Sequence, residues 1–185
     1  QRQMCIRDSL YTEWVLQNPL SINVVLNKQN LENIVETCLY FYTKKSIQDI
    51  RINFLWNRYF FTPEDKDKLE LRYTQFLPYL KKLIYISIKS KLKISFDSVP
   101  ACIFYKIFWE SYTSIIQKFL GENNDHIEEI SNINKDWTFD WKEQKAYSLK
   151  VRKNSCKRCK EYLNCQWVWK EYDEKYWFSE FEAIM

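Results

Sequence analysis

The hydrophobic periodicity of residues 20–100 constrains this chain more than any other feature. Leu20–Leu26 (LSINVVL) is a short apolar run rich in β-branched residues, the pattern of a buried strand. A helix is expected next. Asn30 is placed to cap it, and Leu31, Ile34, Val35, Cys38, Leu39 and Tyr42 recur at three- and four-residue spacing. Residues 47–55 (IQDIRINFL) alternate apolar and polar in their second half and predict a second strand. After a loop over residues 56–61, Thr62-Pro63-Glu64-Asp65 has the form of a helix start: a capping hydroxyl, proline in the first turn, and carboxylates against the helix dipole. Leu69, Tyr73, Phe76, Leu77, Leu80, Leu83 and Ile84 keep the helical period. Pro78 is expected to kink this helix or to sit in the first turn of a second one beginning near Leu77. Residues 92–95 predict a third strand, closed by Val99-Pro100.

Strand, helix, strand, helix, strand predicts an α/β fold of parallel βαβ units with helices over the sheet. Three strands do not close a barrel, and a parallel sheet needs both faces covered, so further strands are expected upstream. Beyond Pro100 the character changes. Residues 104–120 form an aromatic-rich helical candidate, and residues 121–135 a polar loop or short exposed helix that carries the lone histidine, His126, as a solvated residue. Residues 155–185 are dense in cysteine, charge and aromatic rings. Residues 1–9 (QRQMCIRDS) resemble a translated sequencing adapter and stand outside the fold, Cys5 with them.

Hydrophobic residues make up 46% of the 185, enough for a core. No apolar run reaches the ~18 residues of a membrane span, and residues 1–9 lack the apolar centre of a secretory leader, so a cytoplasmic chain without a membrane partner is expected. The net charge of +4 is a mild excess spread along the chain. It reads as a solvated surface and argues only weakly for a polyanion partner.

Cys38 falls on the apolar stripe of the first helix and reads as a core thiol. Cys102, Cys156, Cys159 and Cys165 remain, the last three as C-x2-C-x5-C in a hydrophilic segment. Two intervening residues let both thiolates of Cys156 and Cys159 turn toward one metal centre. Lys153, Lys157, Arg158 and Lys160 nearby are expected to favour thiolate over thiol. Nothing in the chain suggests the oxidising compartment that disulfides need. A structural zinc site with Cys102 as fourth ligand and an iron–sulfur cluster with the same four ligands both fit, and spacing does not choose between them.

Residues 21–30 (SINVVLNKQN) and the helix running to Phe41 resemble the fourth strand and helix of radical S-adenosylmethionine (SAM) enzymes. Arg51-Ile52-Asn53-Phe54-Leu55 looks like their fifth strand, and residues 73–95 with Val99-Pro100-Ala101-Cys102 like the next helix, the sixth strand and the Pro-x-Cys that follows it. Cys156-Lys157-Arg158-Cys159 through Cys165, then Val168-Trp169-Lys170-Glu171-Tyr172 and Glu180-Phe181, is similar to the tails of members with SPASM- or twitch-like auxiliary clusters. The resemblance covers most of residues 20–185, and its tail is the specific part. It implies the C-terminal part of a partial (β/α) barrel over residues 10–100, then a mostly helical or irregular cysteine-rich region over residues 101–185. It also implies an auxiliary [4Fe–4S] cluster on Cys102, Cys156, Cys159 and Cys165.

In the full parent, the resemblance implies an oxidoreductase-type reaction in which a second [4Fe–4S] cluster reduces SAM and the resulting radical abstracts a substrate hydrogen. That cluster's C-x3-C-x2-C loop is absent from these residues and is expected upstream. Asn23 and Asn53, on the strands, are the candidate SAM contacts, with hydrogen bonding inside the barrel as the alternative. The expected substrate is a peptide or protein, or a small molecule. The rival reading is a zinc-stabilised module binding nucleic acid or protein through interleaved Lys157, Arg158, Lys160, Tyr162, Trp167 and Trp169. A βαβ layout has no need of that role, so nucleic acid is not the expected partner. A catalytically inactive scaffold is a third reading.

The chain has one glycine, Gly121, and eight tryptophans. A usage of ~7% would give about 13 glycines. In the resembling family the tail reads Cys-x-Gly and then Tyr-Gly near its end, where this chain has Trp167 and Trp177. One coding explanation covers both: a source that reads UGA as glycine, translated with UGA as tryptophan.

Overall fold

The computed structural model describes residues 20–44, 47–54, 62–90, 92–108, 119 and 148–185. The expected loop at 56–61, most of the 104–120 helical candidate, the 121–135 stretch with His126, and residues 1–9 lie outside the described residues.

Three parallel strands form the first sheet, in the order β1 (Leu20–Leu26), β2 (Ile47–Phe54), β3 (Lys93–Asp97). Their register sets Ile22 beside Ile50, and Val24 and Phe96 on either side of Ile52. Side chains alternate across a strand, so this row makes one apolar face. The opposite face carries Ser21, Asn23, Asp49, Arg51, Asn53, Ser95 and Asp97. The sheet is therefore parallel but two-faced, apolar under its helices and polar on the other side. Among the described residues it is an open three-stranded sheet without barrel closure.

Helix α1 (Ile34–Tyr42) buries Ile34 and Cys38. It starts later than Asn30, which does not cap it. The Asn30 amide instead accepts from the Asn27 N–H (2.9 Å) and donates to the Val25 carbonyl (2.8 Å), closing the turn that leaves β1. The Thr62 expectation holds: its hydroxyl accepts from the Asp65 N–H at 3.2 Å and opens α2 (Pro63–Leu69). Helical periodicity hid a break at residues 70–72, after which α3 (Tyr73–Lys89) runs with Pro78 in its interior. The second helix thus begins four residues before the expected Leu77. Its start is set by the Gln75 side chain, which accepts from the Arg72 N–H at 2.9 Å.

Helix α4 (Ala101–Phe108) follows β3 directly, three residues ahead of the expected start. The tail contains β4 (Lys150–Val151) paired antiparallel with β5 (Val168–Trp169), a 3-10 turn at Asn154–Arg158, and α5 (Lys170–Tyr176). The antiparallel pair departs from a helical or irregular tail. Two residues per strand are too few to leave a periodic signature.

One apolar core joins the two parts. Phe54 stacks on Tyr73 (centroids 4.0 Å apart, planes 11° apart), and Tyr73 meets Tyr172 and Phe181 of the tail at 4.8 and 5.3 Å. Rings of this size bury 150–250 Å2 each and dominate such a core. No helix among the described residues is long and apolar enough to cross a membrane.

Candidate metal centre

The tail docks at the C-terminal end of β3, the end at which open parallel sheets bind ligands. Gln166 makes the join: its side chain accepts from the Val99 N–H (3.2 Å) and donates to the Phe96 carbonyl (3.2 Å). Lys150 Nζ donates to the Gln166 carbonyl at 2.7 Å and to Ser98 Oγ at 3.3 Å. Cys165, one residue before Gln166, is thereby held beside Pro100 and Ala101 and the start of α4.

Cys102, Cys156, Cys159 and Cys165 all line one pocket of about 500 Å3, counting its space open to solvent. Each is half-buried with a free thiol. Cys102 comes from the first turn of α4, Cys156 from the 3-10 turn, Cys159 from its end, and Cys165 from the loop before β5. Backbone N–H groups point at the sulfurs: Trp167 N–H to Cys165 Sγ and Ile184 N–H to Cys159 Sγ, both at 3.4 Å, with the Ala101 backbone also bonding Cys165 and the Glu182 backbone bonding Cys102. Such bonds stabilise thiolates and tune the clusters they hold. Among the described residues no three or more His, Cys, Asp or Glu side chains form a group that could hold a metal ion as they stand. A shared pocket wall is a looser condition than coordination geometry, and the four cysteines meet only the former.

Electrostatics at the site differ from the sequence expectation. Burial above all, then the neighbouring Cys165, pushes the Cys102 thiol up to about 12, and burial raises Cys165 as well. Lys153, Lys157, Arg158 and Lys160 are exposed, so water screens them from these sulfurs. The cation in the pocket wall is Arg152, which sequence reasoning passed over. Its guanidinium carbon lies 4.1 Å from the Tyr162 ring centroid and 3.0 Å from that of Trp167. Arg152 precedes the cysteine run in an ordinary basic segment, and nothing in the sequence separates it from Lys153.

By donor chemistry alone, four thiols with backbone N–H donors and a cation beside them are the groups a thiolate-bound metal would use, although they do not stand in coordination geometry. A bound metal deprotonates its cysteines outright and so overrides the burial that keeps Cys102 neutral.

Cys38 is fully buried under the sheet, as its place on the helical stripe predicts, and burial pushes its thiol up to about 12. Asn23 and Asn53 sit side by side on the polar face. The Asn53 amide donates to Asn23 Oδ1 at 2.7 Å, and Asn53 Oδ1 is buried without a hydrogen-bond partner among the described residues. They therefore do bond within the sheet, with one buried acceptor left over.

Comparisons with protein-family models, curated proteins and solved structures find no match.

Proposed function

We propose that this chain is the C-terminal part of a radical SAM enzyme and supplies late strands of a partial barrel and the four cysteines of an auxiliary [4Fe–4S] cluster. The observation that carries the reading is the shared pocket of Cys102 with Cys156, Cys159 and Cys165, across a gap of more than fifty residues, at the ligand-binding end of a parallel sheet. When bound, such a cluster supplies electron transfer or a Lewis-acidic anchor for substrate. The chain's own residues would hold it: four thiolates as ligands, the Trp167 and Ile184 N–H groups on two sulfurs, and Arg152 against its negative charge. The polar face with Asn23, Asn53, Asp49 and Arg51 is the proposed SAM and substrate side, and the unpartnered Asn53 Oδ1 is an acceptor for either. A peptide or protein is the proposed substrate class, on the family resemblance alone.

A zinc-stabilised binding module uses the same four thiolates, and the pocket by itself favours neither metal. What favours the enzyme is the parallel sheet with its polar face, which a binding module does not need. Anaerobic reconstitution with iron and sulfide separates them. A brown protein holding about four iron atoms supports the cluster. A colourless protein that takes up one zinc and no iron overturns it.

A further inference from the structure

Four described non-glycine residues have left-handed backbone: Ser98 (φ 63°), Trp167 (58°), Trp177 (56°) and Phe178 (54°). Only a few per cent of non-glycine residues adopt it, because Cβ crowds the following carbonyl. Three tryptophans fall among the described residues, and two of them are in this set; Trp169, at φ −60°, is not.

Two of the four have compensating contacts. The Ser98 carbonyl accepts from the buried Tyr73 hydroxyl at 2.6 Å, and its Oγ accepts from Lys150 at 3.3 Å. The Phe178 ring is buried and packs edge-on against Phe181 at 5.6 Å. Trp177 has no such support, and Trp167 has only the face of Arg152. Trp177 is 82% exposed, and its N–H bonds back to the Asp173 carbonyl (2.7 Å) to end α5 in the left-handed position that glycine usually fills. Trp167 lies tight against Arg152, with 3.0 Å from its ring centroid to the guanidinium carbon against a cation–π reach of ~6 Å. Trp167 Nε1 and Arg152 Nε are both buried without a hydrogen-bond partner among the described residues. Trp169 Nε1 is orphaned in the same way, so what separates Trp167 from Trp169 is the left-handed backbone of Trp167 and not its unpaired indole nitrogen.

We infer that positions 167 and 177 are glycine sites, that Trp169 is a true tryptophan, and that the indole of Trp167 fills volume belonging to the pocket's occupant. Trp167 and Arg152 both line the cysteine pocket, so glycine at 167 would enlarge that pocket beside the Arg152 guanidinium. The matching occupant is a thiolate-ligated iron–sulfur cluster, whose net negative charge Arg152 would offset, with Glu182 also in the wall; this last step rests on the reading proposed above, whereas the two glycine sites do not. A genetic code in which UGA specifies glycine accounts for both positions and for a chain with a single glycine.

The codons decide the first part. TGA at 167 and 177 with TGG at 169 is expected, together with glycine at both sites in peptides of the protein isolated from its own cells. TGG at 167 or 177 overturns the inference. In the full 185-residue chain, Trp177→Gly is expected to raise the folding equilibrium constant about tenfold, the relief of a left-handed Cβ. Trp177→Ala keeps that Cβ, so an equal gain from alanine overturns the backbone argument. Trp167→Gly is expected to take up at least threefold more iron than the tryptophan form on anaerobic reconstitution. If the codons read TGA and Trp167→Gly still takes up no iron, the glycine sites stand and the anionic-cluster occupant falls.

Discussion

Glu180 and Arg72, 108 residues apart, meet at 3.0 Å over the first turn of α3. The Glu180 side chain is 2% exposed, and it also accepts from the Thr74 N–H at 3.4 Å, the Thr74 hydroxyl and the Tyr172 hydroxyl. A carboxylate at a helix N-terminus is favoured by the free N–H groups there, and here it also clasps the tail to the start of α3. The cysteine pocket depends on that clasp, because Phe178, Phe181 and Glu182 in its wall flank Glu180 in sequence.

Glu180→Ala is expected to cost about 3 kcal/mol, because the buried hydroxyl of Tyr172 and the first turn of α3 lose their acceptor. Arg72→Ala should cost about 1 kcal/mol, since the Arg72 side chain is 42% exposed and water replaces part of the contact. Urea unfolding of the two variants measures both. Equal losses would mean that Glu180 acts only through the ion pair.

Gln166→Ala removes the two bonds that tie the cysteine loop to the end of β3. A loss of about 2 kcal/mol is expected, with the Val99 N–H left to solvent or unpaired. Hydrogen exchange at Val99 should accelerate more than at Ile52 in the sheet centre. Uniform acceleration across the sheet would show that Gln166 stabilises globally and not at the join.

Cys38 gives the chain an alkaline limit. Its thiol titrates at about 12 in the folded chain against an ordinary value of 9.0. Because the folded value is raised, the neutral thiol's contribution is fully present below pH 9 and is lost as the pH climbs toward 12. Stability is expected to fall over that window, and the buried thiols of Cys102 and Cys165 also contribute to the fall. Cys38→Ala should therefore remove part of the fall while lowering stability near neutrality by about 1 kcal/mol for the methyl-sized void. An unchanged slope in Cys38→Ala would assign the alkaline loss to other groups.

The same residue serves as a control for the metal centre. Each of Cys102→Ser, Cys156→Ser, Cys159→Ser and Cys165→Ser is expected to lower iron uptake at least threefold, while Cys38→Ser leaves it unchanged. Iron analysis after desalting reads the difference. Retention of full iron by Cys102→Ser would remove the α4 cysteine from the ligand set.

Much of the first hundred residues was legible from periodicity alone. β1 falls at its expected residues, β2 keeps its start at Ile47, and the Thr62 hydroxyl caps as its neighbours predict. These are short-range effects, in which side-chain alternation and a local hydrogen bond act within one turn or strand. The break at residues 70–72 was not legible, because Leu69 and Tyr73 remain in helical phase across it. The start of α3 is set by the Gln75 side chain, which accepts from the Arg72 N–H, and by Glu180, far away in sequence, which accepts from the Thr74 N–H.

By itself, then, the sequence determined the parallel α/β order and the burial of Cys38. Only tertiary structure decided that Cys102 shares a wall with the other three, that Arg152 is the cation there, and that burial sets the Cys102 thiol against the exposed lysines. Periodicity and spacing report on neighbours within a turn or two. Pocket walls, screening and buried ion pairs depend on distances that exist only once the core of Tyr73, Tyr172 and Phe181 has closed.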